Sequence, residues 1–153
     1  MTGSELGRIL ADSAAEVLES MFFTSPSGEA GPEVLPQASW ISAALSFHGA
    51  PSGRFGVQVP AETGRRIAAS FLGQEEETLT ESQTGDVVCE LANMLCGSVL
   101  SRVEAETQFD LSQPRIESPG AGRPSPAATS TFVMEEGPLA VWLDMEHADE
   151  QQP

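Results

Sequence analysis

Apolar residues return at helical spacing between Leu6 and Phe23. Leu6, Ile9, Leu10, Val17, Leu18, Met21 and Phe22 form one stripe among good helix formers, which predicts an α-helix over 6–23. Proline disfavours helical backbone in the residue before it, so Thr24-Ser25-Pro26 ends the helix. Residues 24–37 hold three prolines and two glycines and read as an exposed loop. The period then changes to two. Ile41, Ala43, Leu45 and Phe47 alternate with Ser42, Ala44, Ser46 and His48, the signature of a strand with one buried face. After a turn at Gly49-Ala50-Pro51-Ser52-Gly53, Phe55, Val57 and Val59 alternate in the same way, giving an antiparallel hairpin.

Pro60 closes that strand, and residues 61–72 read as a helix packing Ile67, Ala68, Phe71 and Leu72. The acidic, polar stretch from Gly73 to Thr84 reads as a linking loop. A second long helix is expected over 84–102, packing through Val87, Leu91, Met94, Leu95 and Ser98. Gly97 costs about 1 kcal/mol in a helix interior relative to Ala, so its presence suggests a tight contact with another element. Thr107, Phe109 and Leu111 alternate as a strand ending before Pro114, and a Pro/Gly-rich loop follows to about residue 128. Two closing strands are expected, one near Thr131–Glu135 and one placing Leu139, Val141, Leu143 and Met145 on a common face. Hairpin-connected strands with helices on one side imply an α+β fold, an antiparallel-rich sheet carrying two long helices. Asp12, Glu16 and Glu19 of the first helix align with Asp86, Glu90 and Asn93 at an offset of 74 residues, a weak internal repeat. It divides a single domain, residues 1–147, into halves of about 5–73 and 80–146, followed by an acidic tail over 148–153.

Charge narrows the classes of partner. The 153 residues carry 23 Asp and Glu against seven Arg and Lys, a formal net charge of −16. Such a surface repels phosphate backbones and anionic lipid, so neither nucleic acid nor membrane is an expected partner. A basic partner surface would be attracted, although acidity also serves plain solubility. No run approaches the roughly 18 apolar residues of a membrane span, and the polar start has no secretion-signal pattern. A cytoplasmic protein is the expectation. On a helix Cys89 and Cys96 lie about 10.5 Å apart along the axis, from a 1.5 Å rise per residue, too far for a disulfide. Both read as small buried residues in a reducing compartment.

The candidate chemistry lies on the second long helix. Asp86, Glu90, Asn93 and Gly97 stand four, three and four apart and therefore share one face, with Glu90 and Asn93 one turn apart. A carboxylate can pair with Lys or Arg of a partner; a carboxamide has donors and an acceptor and can hold a water while engaging another ligand. With no base beside them, the pair suits positioning a water better than nucleophilic attack. A Glu and an Asn one turn apart are also a common solvated helix face. Asn, however, competes with the backbone when placed mid-helix, which argues mildly for a purpose.

Several segments resemble one known family in order along the chain. The run from Leu45 to Val59 is similar to its strand, Gly-containing turn and strand, and Ile67–Gly73 to its following helix. Asp86-Val-Val-Cys-Glu90-Leu-Ala-Asn93-Met-Leu-Cys-Gly97 resembles the signature helix of the CheX/CheC-type chemotaxis phosphatases, and Phe109–Pro114 with Pro119-Gly120 resembles the downstream strand and turn. The resemblance covers roughly residues 6–145 and implies the CheC-like pseudo-two-fold fold. It further implies a substrate, the phospho-aspartate of a CheY-like response-regulator receiver domain. Glu90 would pair with the receiver's active-site Lys, and Asn93 would orient the attacking water. Mg2+ would belong to the receiver, with no cofactor or metal bound by this chain. Asp86 and Gly97 carry over as flanking motif positions. Glu19 stands where an active first helix would carry Asn, so the resemblance implies one site per chain, as in CheX-like members, and a homodimer.

Two other readings stay open. The same fold could serve as a docking module for a receiver domain, in a flagellar switch or scaffold, without hydrolysis. A metal-dependent hydrolase could use Asp12, Glu16, Asp86 and Glu90 if the two helices converged. His48 and His147 are expected to be non-catalytic, and Trp40 and Trp142 to occupy half-buried strand positions.

Overall fold

A computed structural model describes residues 3–22, 28–30, 40–49, 52–104, 106, 108–117 and 128–145. The elements are α1 (Gly3–Met21), β1 (Gly28–Ala30), β2 (Trp40–His48), β3 (Gly53–Pro60), α2 (Ala61–Leu72), a 3-10 turn (Glu76–Thr78), α3 (Glu81–Val103), β4 (Asp110–Leu111), β5 (Arg115–Glu117), β6 (Ala128–Met134) and β7 (Gly137–Met145). The expected α+β class with an antiparallel sheet is what forms. The strands follow the order β1-β6-β7-β3-β2-β4, with β5 also paired to β2, and each pairing is antiparallel. Exchanging β1 with β4/β5, β6 with β2 and β7 with β3 leaves this order unchanged. The sheet thus has two-fold topology about the β7–β3 junction, with α1 over β6 where α3 lies over β2.

One sheet face carries Ala43, Leu45 and Phe47 of β2, Phe55, Val57 and Val59 of β3, and Leu139, Val141 and Leu143 of β7, all buried. These pack in one core with Leu10 and Leu18 of α1, Phe22 just past its end, Ile67 of α2, and Val88, Leu91 and Leu95 of α3. Phe22 stacks on Phe71 of α2 at 4.7 Å between ring centroids, joining α1 and α2. α2 spans the residues its pattern predicts and ends where Gly73 adopts the left-handed conformation, φ 66°, natural for glycine at a helix terminus.

Several expectations need correction. The 24–37 loop contains a strand, since residues 28–30 pair with β6; the rest of it lies outside the described residues. β2 does not bury one face only: Ser42 and Ala44 on the opposite face are buried too. Trp142 of β7, expected to be half-buried, is 2% exposed on that second face, where the indole lies across Gly56. A Cβ at position 56 would clash with the indole Cε2, Nε1 and Cζ2 atoms, so glycine there is required by close approach. Trp40 is half-buried, as its pattern suggests. α3 begins at Glu81, not residue 84. The strand expected over 107–111 is reduced to β4, and a further strand, β5, follows Pro114. The second Pro/Gly-rich loop, His147 and the acidic tail lie outside the described residues.

Candidate functional site

α3 starts where Thr80 and Gln83 form a reciprocal capping box. Gln83 N donates to Thr80 Oγ1 at 3.0 Å, and Thr80 N donates to Gln83 Oε1 at 2.9 Å. This satisfies two of the otherwise orphaned donors of a helix N-terminus. The helix then runs against α1 and α2 on its flanks and β2 and β3 beneath. Val87, Val88, Leu91, Ala92, Leu95, Cys96, Val99 and Leu100 are consequently buried. The stripe left to solvent in the middle turns is the motif itself, with Asp86, Glu90 and Gly97 exposed and Asn93 half-buried.

That stripe forms one wall of a cleft of about 420 Å³. Asp86, Cys89, Glu90 and Asn93 line it from α3, Leu111 from β4, and Ser112, Gln113 and Pro114 from the connection between β4 and β5. The second wall is held by the sheet. Ser112 N donates to Ser46 O at 2.9 Å, and Ser46 N donates to Ser112 Oγ at 2.9 Å, while Leu111 pairs with Phe47. Farther along, Arg54 of β3 reaches across β2 to Glu117 of β5 at 2.5 Å and stacks 5.6 Å from the Trp142 ring centroid. Neither the Glu90 carboxylate nor the Asn93 carboxamide makes a hydrogen bond among the described residues, so both are free to engage a partner. Asp86 shares the cleft.

Gly97 departs from expectation. It is exposed, lies outside the cleft lining, and a Cβ there would have nothing within 4 Å. Its smallness serves no tight contact among the described residues; it leaves open space one turn beyond Asn93. The thiols differ. Burial pushes Cys96 up to about 12, whereas Cys89, at the cleft, is raised by burial first and by the nearby Asp86 charge second.

The first-helix counterparts have another fate. Glu16, aligned with Glu90, accepts from Ser98 Oγ at 3.0 Å and from Arg102 Nη1 at 3.3 Å, both on α3. Arg102 also donates to Ser13 Oγ at 3.3 Å. The hydrogen bond from Arg102, then that from Ser98, lowers the Glu16 pKa below its ordinary 4.5. The carboxylate is thus occupied in joining α1 to α3. Asp12, Glu16, Asp86 and Glu90 do not gather, and among the described residues no three His, Cys, Asp or Glu are placed to hold a metal ion. His48 is exposed at the end of β2. The residues that sequence reasoning missed are those of the second wall. The signal available for them was the short alternation broken at Pro114. A separate hollow of about 320 Å³, lined by Trp40, Ile41, Arg65, Leu79, Gly85 and Ile116 among others, holds none of the motif residues. Among the described residues no helix is long and apolar enough to cross a membrane.

A family model described as Chemotaxis phosphatase CheX matches residues 41–133, which include the hairpin, all of α3 and both cleft walls. No curated protein matches the chain. Among solved structures, the chemotaxis protein CheX from Vibrio vulnificus is 20% identical, with a TM-score of 0.72 over 95% of this chain and 99% of that one. A CheX-CheY-BeF3-Mg2+ complex from Borrelia burgdorferi contains a chain 16% identical, TM-score 0.70, over 93% of this chain and 98% of that one. FliY from Thermotoga maritima is 20% identical at a lower TM-score of 0.56, over 95% and 87% of the two chains. At such identities the structural likenesses establish the fold.

Proposed function

The chain belongs to the CheX family of chemotaxis phosphatases, and from that premise we propose that it hydrolyses the phospho-aspartate of a CheY-like receiver domain. The observation that carries the reading is the Glu90 and Asn93 pair, one turn apart in an open cleft and without a hydrogen-bond partner among the described residues. In the reaction a water oxygen bonds to phosphorus as the bond from phosphorus to the receiver's aspartate oxygen breaks. Inorganic phosphate leaves and the carboxylate is restored. Such a transfer needs alignment and charge stabilisation more than covalent help. Asn93 enters the receiver's site and orients the water in line with phosphorus. Glu90 pairs with the receiver's Lys and fixes the docked orientation; a carboxylate in the place of Asn93 would lack donors and meet the phosphoryl group with like charge. The divalent metal, Mg2+, is the receiver's, and supplies charge neutralisation on the phosphoryl oxygens there.

Support for a CheY-like partner comes from family membership and from the fold shared with the CheX chain of the Borrelia burgdorferi complex. The engagement of Glu16 by Arg102 and the presence of Glu19 favour one site per chain. The proposal includes action in the cytoplasm and a homodimer with one site on each protomer; sedimentation equilibrium giving a monomer mass would remove the dimer. The reading is tested by phosphate loss from the CheY-like receivers of the same genome, each phosphorylated with acetyl phosphate. Acceleration by the wild type that disappears in Asn93→Ala is expected. A receiver that binds without losing phosphate faster would instead make the chain a docking module.

A further inference from the structure

The wall opposite Glu90 and Asn93 is neutral, fixed and only partly engaged. Its Ser112 is tied to Ser46 through backbone and hydroxyl, and three residues past Pro114 the Arg54–Glu117 pair ties β5 to β3. Between these two tethers stands Gln113, exposed, lining the cleft, its carboxamide without a hydrogen-bond partner among the described residues. Leu111 and Pro114 beside it offer no side-chain polar group, and the Ser112 hydroxyl is already bonded. Gln113 is therefore the one side chain on this wall with both donors and an acceptor to spare. In a protein of net charge −16, a neutral amide facing Asp86 and Glu90 also adds no repulsion toward a phosphorylated partner.

We propose that Gln113 is a binding residue of the site, gripping the receiver's surface beside the phosphoryl group from the wall opposite α3. This rests on the phosphatase reading above. Because Asn93 and Glu90 approach from the helix alone, a partner held only by them could pivot about the helix axis. A third contact from a wall anchored to the sheet removes that freedom. Gln113 touches the partner's protein surface in the ground state and the transition state alike, so its loss weakens binding without slowing the chemical step.

The test uses the full chain and receivers phosphorylated with acetyl phosphate, comparing wild type, Gln113→Met, Gln113→Ala and Asn93→Ala. Methionine keeps the length and volume of glutamine and removes its polar atoms. Gln113→Met is expected to raise KM roughly three- to tenfold, the loss of one or two neutral hydrogen bonds, with kcat within about twofold. Asn93→Ala lowers kcat instead. Unchanged KM in Gln113→Met overturns the assignment while leaving the phosphatase reading intact, and so does a fall in kcat at constant KM. If a receiver binds but is not turned over, the phosphatase reading fails. The Gln113 assignment is then decided by Kd, standing on a comparable weakening and falling on none. If no receiver binds, both are wrong.

Discussion

Asn93 and Glu90 offer a partner different groups from the same helix face. The amide can hold a water through its oxygen while its NH2 engages the phosphoryl group; the carboxylate can only accept. Asn93→Ala is accordingly expected to cut kcat by about 100-fold, the scale of a lost positioning group, with receiver binding retained. Glu90→Ala is expected to raise KM by roughly tenfold, since a charge-assisted contact is lost. Glu90 is exposed and Asn93 half-buried, and neither side chain has a hydrogen-bond partner among the described residues, so urea denaturation should place each variant within about 0.5 kcal/mol of wild type. A larger loss of stability would mean that these residues are structural. The two cysteines give a separate check on the helix face. Alkylation followed by peptide mass analysis should modify Cys89 well before Cys96, whose thiol burial holds at about 12. Faster labelling of Cys96 would mean that α3 is turned the other way.

The long elements could be read from the sequence because burial imposed their period. α1, the β2–β3 hairpin and α2 each keep one apolar face against the shared core, and their spacing reports it. The elements that escaped are those whose form is imposed by a neighbour. β1, β4 and β5 have two or three residues each and exist as partners of β6 and β2, with too few positions to display a period. The Thr80–Gln83 box was visible as Thr-x-x-Gln but stood in a polar stretch that read as loop. Thr80→Ala should cost about 1 kcal/mol in urea denaturation, and an unchanged midpoint would show that the box contributes nothing. The motif residues were legible as a helix face; their cleft was not, because Gln113 and Pro114 reach it through pairing with β2, which no local pattern encodes. Gly97 misled because an interior glycine usually marks packing, while here it marks an open surface.

The contact between α1 and α3 also has a pH signature. Glu16 is a stronger acid folded than unfolded, so its contribution to stability is fully present above 4.5 and is lost as pH falls through the depressed value. The Tm difference between wild type and Arg102→Ala should therefore be largest above 4.5 and close toward more acid pH. A gap that stays constant through that range would mean that the pair carries no pH-dependent stability.

Taken whole, the molecule repeats one plan twice, and the two copies differ in what their long helices carry. The sheet order is symmetric about the β7–β3 junction, yet α3 presents a free carboxylate and amide where α1 presents Glu19 and a Glu16 held by Arg102. A net charge of −16 adds long-range attraction for a basic partner face. Raising ionic strength from about 0.05 to 0.5 M, which shortens the screening length several-fold, should slow association with the receiver more than it speeds dissociation. The most direct measurement is the release of inorganic phosphate from the cognate phosphorylated receiver, timed with no addition, with wild-type protein and with Asn93→Ala. Release that wild type accelerates and Asn93→Ala leaves at the receiver's own rate is the expected result. Equal acceleration by both proteins would contradict the assignment of water positioning to Asn93, and with it the central claim.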